Sequence, residues 1–327
     1  MFWEQKKLQN SNIYKGGVPL TDELRLKKAQ FDEQLKQNLI DRKRFIAVCG
    51  PCSVDDPKAM EEYLLKLKAV QDECQNLLVV ARIYTSKPHS NGQGYKGSAF
   101  HLTTSDEVDI DNGIIRCRQM MLKCLEIGLP VADELLYPEL YECFDDLVSY
   151  FFVGARSSED SLHRGFASGL DVCCGIKNST DGNIEKVVDS LYAVSHSCVF
   201  PHNGAQIATS GCKNAHIVLR GGFNNGEYSL NITAKDVEYA KKLLQQHGLN
   251  DFIMADLNHA NSGKVARNQI ENAHLALSVG IDGVMIESYL YGGGQSREYG
   301  TSQTDDCLCF EETESLLKQI QSSVKNR

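Results

Sequence analysis

The sequence predicts an α/β protein folded as a single (β/α)8, or TIM, barrel. Its 327 residues contain eight short apolar runs, and a helical segment follows each of them. Strands that alternate with amphipathic helices are typical of parallel sheets, and continuous apolar runs indicate strands buried on both faces. No linker rich in Pro, Gly or Ser interrupts the series. Eight such units favour a closed barrel, and a doubly wound sheet is the main structural alternative.

The elements follow from the spacing of apolar residues. The predicted strands span residues 45–49, 78–84, 130–135, 151–156, 171–177, 216–220, 252–259 and 283–287. The predicted helices lie near residues 57–74, 113–127, 138–149, 158–169, 183–195, 234–247, 264–279 and 311–324. In the first helix an apolar residue recurs every three or four positions, which gives one face that can cover a sheet. Ser157 and Asp160 resemble a capping box that would open the fourth helix.

Two segments fall outside the repeat. Residues 1–44 are polar, and one helix is predicted within them at about residues 22–39. We interpret them as an N-terminal extension and residues 45–327 as the barrel. Residues 194–212 lie between the fifth and sixth strands, where they are predicted to form an extra hairpin.

Charge and hydropathy exclude several classes of function. The formal net charge is −9, from 34 Lys and Arg against 43 Asp and Glu, so a general affinity for nucleic acid or an anionic membrane is not expected. No apolar run approaches the ~20 residues of a membrane span, and the first ten residues do not resemble a signal peptide. The sequence therefore predicts a cytoplasmic protein, whose 12 cysteines are reduced.

The barrel also predicts where a site would lie, because active sites of this architecture form at the C-terminal ends of the strands. Polar residues stand at or near all eight ends, namely Cys52, Arg82 with Lys87, Glu134, Arg156, Lys177, Arg220, His259 and Glu287. A single Arg or Lys at such a position is commonly a solvated charge. Four basic strand ends facing one rim instead predict a site for a small dianion or trianion, since guanidinium groups bind phosphate and carboxylate through paired hydrogen bonds.

A metal site is predicted at the same rim. Cys52, His259 and Glu287 close three strands, and Asp305 follows in the last loop. Each of these residue types is, on its own, more commonly structural. As a set they could hold one divalent ion such as Mn²⁺, Fe²⁺, Co²⁺ or Zn²⁺. They are far apart in sequence, so this prediction depends on closure of the barrel.

The stretch Cys49-Gly-Pro-Cys52 permits a different interpretation. A Cys-x-x-Cys pair between a strand and a helix is a redox signature. Cys49 lies inside an apolar run, however, and the rest of the chain keeps the barrel pattern. A redox function therefore stands as an alternative to the anion and metal site.

Several motifs, taken in order, resemble the microbial class I 3-deoxy-D-arabino-heptulosonate 7-phosphate (DAHP) synthases. They are GPCSVDDP at 50–57, ARIYTSKP and GYKG between 81 and 97, GARSSEDSLHR at 154–164, GIKNSTDG at 175–182, HIVLRGG at 216–222, DLNHANSGK at 256–264, GVMIES at 283–288 and TDDC at 304–307. The resemblance covers nearly all of the chain after about residue 45. It implies a (β/α)8 barrel that condenses phosphoenolpyruvate with erythrose 4-phosphate, the metal-dependent first step of the shikimate pathway.

The resemblance also implies roles for individual residues. The metal ligands would be Cys52, His259, Glu287 and Asp305. Phosphoenolpyruvate would contact Arg82, Lys96, Ala155, Arg156, Lys177 and Arg220. The acceptor aldehyde would contact Lys87, Pro88, His89, Ser90 and Asp305. The catalytic residues would be Lys87, as general acid, with Glu134 and His259. Members of this family are often dimers or tetramers, and residues 1–44 and 194–212 are candidates for assembly or regulation.

One stretch departs from the family pattern. This chain has Lys87-Pro88-His89-Ser90 where the family has Lys-Pro-Arg-Thr. Histidine cannot form the guanidinium fork and is largely neutral near pH 7. Losing a charge-assisted hydrogen bond to the acceptor's phosphate would cost about 1.5–3 kcal/mol.

Three functions are therefore open at this point. The chain could be a DAHP synthase with weaker or rearranged phosphate binding. It could be a relative that condenses phosphoenolpyruvate with another aldehyde in specialised metabolism. It could also be a non-catalytic anion-binding or redox protein on the same barrel, against which the retained metal residues argue.

Overall fold

Twelve strands form one barrel and two hairpins in the computed structural model, which describes residues 1, 3–88, 94–101 and 107–324. The strands are β1 Phe45–Gly50, β2 Leu77–Arg82, β3 Val131–Glu134, β4 Tyr150–Val153, β5 Cys173–Lys177, β6 Val199–His202, β7 Ala205–Ala208, β8 Ala215–Leu219, β9 Gly222–Asn224, β10 Glu227–Ser229, β11 Ile253–Asp256 and β12 Gly283–Glu287.

Eight of these strands close the barrel, in the order β1-β12-β11-β8-β5-β4-β3-β2. Every neighbouring pair is parallel, and β1 closes the ring against β12 with Ile46 opposite Gly283 and Gly50 opposite Glu287. All the C-terminal strand ends therefore meet at one rim. The (β/α)8 barrel predicted from the sequence is confirmed, and a doubly wound sheet is excluded.

Ten α-helices are present within the described residues. They are α1 Ser11–Gly17, α2 Asp22–Asp41, α3 Pro57–Glu73, α4 Ile110–Ile127, α5 Tyr141–Phe144, α6 Ser161–Ala167, α7 Ile184–Val194, α8 Ala234–Gln246, α9 Asn268–Ser278 and α10 Phe310–Val324. A helix follows each barrel strand, as the spacing of apolar residues predicts. The short α1 was not expected from the sequence.

Two helix predictions need correction. The segment at 138–149 is only a 3-10 turn, Pro138–Leu140, followed by the one-turn α5. The carbonyl of Cys143 accepts a hydrogen bond from buried Arg118 instead of continuing the helix. In addition, Asp160 rather than Ser157 caps α6, because its carboxylate accepts from the backbone N–H of His163 at 3.0 Å.

The N-terminal extension packs against the barrel. Thr21 caps α2, and the buried residues Leu35 and Leu39 of that helix join the apolar cluster inside the barrel, where Ile46 and Leu78 also lie. These two strand residues stand near the N-terminal ends of β1 and β2. The helix therefore closes the bottom of the barrel, opposite the rim where the site is expected.

Both hairpins lie outside the barrel. Strands β6 and β7 pair in antiparallel fashion, with Val199 opposite Ala208, which confirms the hairpin predicted within residues 194–212. Strands β9 and β10 form a second antiparallel pair directly after β8, and this hairpin was not predicted. Across the described residues, no helix combines the length and apolar character that a membrane crossing requires.

Candidate active site

Six of the eight strand ends that the sequence singled out line one cleft at the C-terminal rim. Its lining consists of Arg82, Lys87, Pro88, Glu134, Gly154, Ala155, Arg156, Lys177, Arg220 and His259. Every one of these except Gly154 was predicted as a site residue. Parallel strands of a closed barrel all end at the same rim, so residues that are distant in sequence meet there.

Arg82 is fixed at the floor of the cleft. Its side chain is 1% exposed and donates to the carbonyl oxygens of Pro51 at 3.2 Å and Cys52 at 3.0 Å. It also donates to Oε1 of Glu287 at 2.8 Å, and its guanidinium lies 3.7 Å from the ring centroid of Tyr84. These contacts hold a buried charge in one orientation before any ligand arrives.

Lys177 and His259 share one buried carboxylate. The Nζ atom of Lys177 donates to Oδ2 of Asp256 at 2.7 Å. Nδ1 of His259 lies 2.9 Å from the same oxygen, although the contact is not aligned as a hydrogen bond. Burial opposes the charge of Asp256, but His259 and Lys177 hold its pKa well below the ordinary range. Burial lowers the pKa of His259, against the opposing effect of Asp256 and Glu287, which favours the unprotonated ring that metal binding requires.

Two further guanidinium groups reach the cleft. Arg220 is buried directly after β8, and its backbone N–H donates to the side chain of Asn178 at 2.8 Å. Among the described residues, no carboxylate lies within 4.0 Å of the Arg220 side chain, so its charge is not neutralised by an ion pair. Arg156 is exposed on the loop after β4. The two arginines therefore offer positive charge to an incoming anion.

Three of the four predicted metal ligands come together. The ligand atoms of Cys52, Glu287 and Asp305 all lie within 4.8 Å of one another. The fourth, His259, lies close by but outside this group, with Nε2 3.8 Å from Oε1 of Glu287. One thiol, two carboxylates and an imidazole form a donor set that fits a transition-type divalent ion.

Lys87 holds a positive charge within this group. Its Nζ atom donates to Sγ of Cys52 at 2.7 Å and to Oδ2 of Asp305 at 2.9 Å. Burial opposes its charge, but the Cys52 sulfur and the carboxylates of Asp305 and Glu287 raise the pKa of Lys87. Burial also raises the pKa of the Cys52 thiol to about 11. A protonated lysine is thus within reach of the place where a metal and an aldehyde would meet.

The Glu134 carboxylate extends into the cleft from the end of β3. It leaves no room for a side chain at position 154, after β4. A Cβ atom added to Gly154 would lie 2.0 Å from Oε1 of Glu134. Glycine at this position therefore lets the carboxylate reach the cleft, and a requirement for glycine here was not expected from the sequence.

Several predicted residues are placed differently or cannot be described. Lys96 is half-buried and its carbonyl accepts from the backbone N–H of Lys87 at 3.0 Å, but its side chain does not line the cleft. His89 and Ser90, predicted to contact the acceptor, lie outside the described residues. Both cysteines of the redox alternative are free, and burial raises the pKa of Cys49, which disfavours thiol exchange there.

Comparison with known proteins identifies the family. The family model described as DAHP synthetase I family matches residues 31–326. The chain belongs to the DAHP synthetase I family. The match begins within α2, before the predicted barrel boundary at residue 45.

Relatives within the DAHP synthetase I family are similar over most of their length. The Tyr-sensitive phospho-2-dehydro-3-deoxyheptonate aldolase of Salmonella typhimurium is 34% identical over 303 residues, which cover 87% of this chain and 83% of the relative. The Phe-sensitive enzyme of Escherichia coli strain K12 is 36% identical over 302 residues, covering 87% and 85%. The structure of the enzyme named phospho-2-dehydro-3-deoxyheptonate aldolase from Francisella tularensis SCHU S4 has a TM-score of 0.93 at 29% identity and covers 99% of both chains.

Two residues that hold the site of this DAHP synthetase I family member were missed by the sequence analysis. Asp256 fixes Lys177, and Asn258 donates to Oε2 of Glu287 at 2.6 Å. Both belong to the motif at 256–264, so a signal was present. A position at a strand end singles out groups that can bind a ligand, but it does not single out the residues that orient them.

Proposed function

We propose that this protein condenses phosphoenolpyruvate with erythrose 4-phosphate to give DAHP and inorganic phosphate. The observation that carries the proposal is the convergence of Arg82, Arg156, Lys177 and Arg220 on one cleft beside Lys87 and the Cys52, Glu287 and Asp305 group. Family membership supports the same reaction. This arrangement offers fixed cations to the donor's phosphate and carboxylate, with an acid and metal donors next to them.

The donor is held by charge. Phosphoenolpyruvate carries a phosphate and a carboxylate, and both groups match guanidinium forks. Arg82 is oriented by its backbone contacts, and Lys177 by Asp256, so neither must be ordered when the donor binds. Arg156 and Arg220 add two more positive charges around the phosphate. We assign Ala155 and Lys96 to the same donor site, as the motifs imply.

The carbon–carbon bond forms when C3 of the enol attacks the aldehyde carbon. The aldehyde oxygen gains negative charge, and protonated Lys87 is placed to transfer its Nζ proton to that oxygen. We assign one divalent ion, Mn²⁺, Fe²⁺, Co²⁺ or Zn²⁺, to Cys52, His259, Glu287 and Asp305, and when bound it would supply Lewis-acid polarisation of the aldehyde carbonyl. Lys87, Pro88, His89, Ser90 and Asp305 are assigned to the acceptor side.

The second half of the reaction removes phosphate. Attack leaves an oxocarbenium-like centre at C2 of the donor, water adds there, and the C–O bond to phosphate breaks. Glu134 faces the cleft and would accept the proton of the incoming water. Arg156, Lys177 and Arg220 would stabilise the negative charge of the departing phosphate. The atoms balance as donor, acceptor and water against DAHP and phosphate.

The proposal extends to the molecule as a whole. We assign residues 45–327 to the catalytic barrel and residues 1–44 to an extension that serves assembly or regulation. The dimeric or tetrameric state implied by the resemblance and the cytoplasmic location predicted from the sequence belong to this proposal, and no nucleic acid or membrane partner is included.

Steady-state kinetics test the function. The protein, loaded with Mn²⁺, is incubated with phosphoenolpyruvate and erythrose 4-phosphate, and consumption of the first is followed together with formation of the 3-deoxyheptulosonate. Turnover is expected with this aldehyde, and Arg220→Met should raise the KM for phosphoenolpyruvate more than the KM for the aldehyde. Turnover only with a different aldehyde would overturn the choice of acceptor. His89→Arg is expected to lower the KM for erythrose 4-phosphate, because it restores a guanidinium group that can form paired hydrogen bonds with the phosphate.

A further inference from the structure

A buried carboxylate stands directly behind the acceptor side of the cleft. Asp133 precedes Glu134 in β3 and is 2% exposed. Its Oδ1 accepts from the backbone N–H of Thr85 at 3.0 Å and from that of Glu134 at 2.7 Å. Its Oδ2 accepts from the Thr85 hydroxyl at 2.9 Å. The side chain does not line the cleft, yet it joins the end of β3 to the chain that leaves β2.

Thr85 is the junction of the segment that carries Lys87. Its backbone N–H and hydroxyl are bound to Asp133, and its carbonyl accepts from the backbone N–H of Ala99 at 3.0 Å. Gly97 has φ +97°, and a Cβ atom there would lie 2.3 Å from the Thr85 carbonyl oxygen. The outgoing and returning arms of the segment therefore both meet at Thr85, within the described ranges that end at 88 and resume at 94.

Two cations of the donor side are held independently of this junction. Arg82 is held by the carbonyls of Pro51 and Cys52 and by Glu287. Lys177 is held by Asp256 on the opposite part of the barrel. A change at Asp133 should therefore disturb the placement of Lys87 and Glu134 while it leaves Arg82 and Lys177 in position.

We propose that Asp133 is a positioning residue that acts on the acceptor side through Thr85 and Lys87, while its bond from the backbone N–H of Glu134 anchors it to the end of β3. It touches neither substrate. By fixing the two strand ends to each other, it sets where the Lys87 ammonium and the Glu134 carboxylate stand in the cleft. This inference rests on the proposed function. It adds a residue that controls how well the site acts on the second substrate.

Variants at both ends of the contact test the role. Asp133→Ala leaves three donors unpaired, and we expect kcat/KM for erythrose 4-phosphate to fall at least about tenfold, the cost of an unpaired buried polar group. The KM for phosphoenolpyruvate should stay near the wild-type value. Asp133→Asn should keep most of the activity, because its carbonyl can accept from both backbone N–H groups and its amide can donate to the Thr85 hydroxyl.

At the Thr85 end of the contact, the matched pair of variants is Thr85→Val and Thr85→Ser. Valine keeps the shape but removes the hydroxyl donor, whereas serine keeps the donor. We expect Thr85→Val to lower kcat/KM for the acceptor and Thr85→Ser to stay close to wild type. A merely structural contact would lower the melting temperature of Asp133→Ala and Thr85→Val, but it would raise the KM values for the two substrates alike. An equal rise in KM for phosphoenolpyruvate and for erythrose 4-phosphate would therefore overturn the proposal.

An amide-exchange measurement separates this inference from the proposed function. The backbone N–H groups of Lys87 and Ala99 are both bonded within the segment, to the carbonyls of Lys96 and Thr85. In Asp133→Ala they should exchange faster with deuterated water, while strand β11 keeps its protection. Unchanged exchange at Lys87 and Ala99 would refute the positioning role. A wild-type protein inactive with erythrose 4-phosphate would instead refute the proposed function, whatever the exchange shows.

Discussion

At the scale of single residues, the site depends on positions that leave space for a functional side chain as well as on the side chains that bind. Gly154 illustrates this, since only the absence of a Cβ atom lets Glu134 reach the cleft. Gly154 does not have a left-handed backbone conformation, so alanine is compatible with the backbone and its effect would be confined to the carboxylate.

We therefore predict that Gly154→Ala lowers kcat by about ten- to a hundredfold, because a displacement of about 1 Å at a reacting group has that effect. The melting temperature should change little, since the far end of Glu134 can move. Gly16→Ala is the matched control, because no atom lies within 4 Å of a Cβ added there. Wild-type kcat in Gly154→Ala would show that Glu134 takes no part in turnover.

Asp133 gives a prediction for pH. Burial raises the pKa of Asp133 to about 7, with the nearby Glu134 carboxylate acting in the same direction, against an unfolded value of about 3.9. Between these two values the folded protein keeps a proton that the unfolded chain has lost. The contribution of Asp133 to the free energy of unfolding is therefore greatest below about pH 4, and it decreases as the pH rises towards 7.

Asp133→Asn cannot lose that proton, so its free energy of unfolding should rise relative to wild type between pH 4 and pH 7 and then level off. Urea titrations of both proteins across this range provide the measurement. A constant difference between the two would mean that Asp133 is charged throughout and that its pKa is not raised.

Residue types and strand ends were enough to predict the cations of the cleft. Arg82, Lys177 and Arg220 were found because the barrel forces strand ends together, and their chemistry is visible in the sequence. Asp256 and Asp133 were not found, because a carboxylate that orients another residue has no signature apart from its neighbours in space. Lys96 was assigned by motif alone, and it is not among the residues that line the cleft.

At the scale of elements, the packing of α2 was not expected. The sequence predicts a helix here as part of a polar extension outside the barrel repeat, yet Leu35 is fully buried within the barrel interior cluster. The first residue matched by the family model, 31, also lies in this helix. The extension thus contributes directly to barrel stability.

Leu35→Ala should lower the free energy of unfolding by about 2–5 kcal/mol, the usual cost of removing a buried leucine side chain. Leu26→Ala, in the same helix but 68% exposed, should change it by less than about 0.5 kcal/mol. Chemical denaturation of the two variants makes the comparison at matched helix propensity. Similar small losses in both would show that α2 does not cap the barrel in solution.

Apolar periodicity located all eight barrel strands to within a few residues, because buried parallel strands have a strong pattern. It failed where side chains redirect the backbone. The predicted helix at 138–149 is reduced to α5, where Arg118 of α4 donates hydrogen bonds to Cys143 and Asp146, and no local pattern reveals this contact. The β9–β10 hairpin was missed because its strands are three residues each and largely exposed.

At the scale of the whole molecule, closure of the barrel creates the metal donor set. Cys52 and Asp305 are separated by 253 positions in sequence, and Sγ and Oδ2 lie 3.6 Å apart. No spacing rule could have shown that contact. Only the prediction of a closed ring placed the first strand beside the last.

Removal of metal provides a test at this scale. Dialysis against a chelator should abolish turnover, and Mn²⁺ should restore it and raise the melting temperature. Cys52→Ala should weaken the metal-dependent rise in melting temperature and lower kcat, whereas Cys49→Ala should keep both, since Cys49 is buried in β1 away from the cleft lining. Loss of activity in Cys49→Ala with an intact fold would instead support a redox role for the pair.

Phosphorus NMR of the metal-loaded protein with both substrates measures directly whether one cleft joins phosphoenolpyruvate to erythrose 4-phosphate with release of phosphate. We predict that the phosphoenolpyruvate signal decays while inorganic phosphate and a new sugar phosphate grow in equal amounts. Phosphate released without the new sugar phosphate, or no decay of phosphoenolpyruvate, would contradict it.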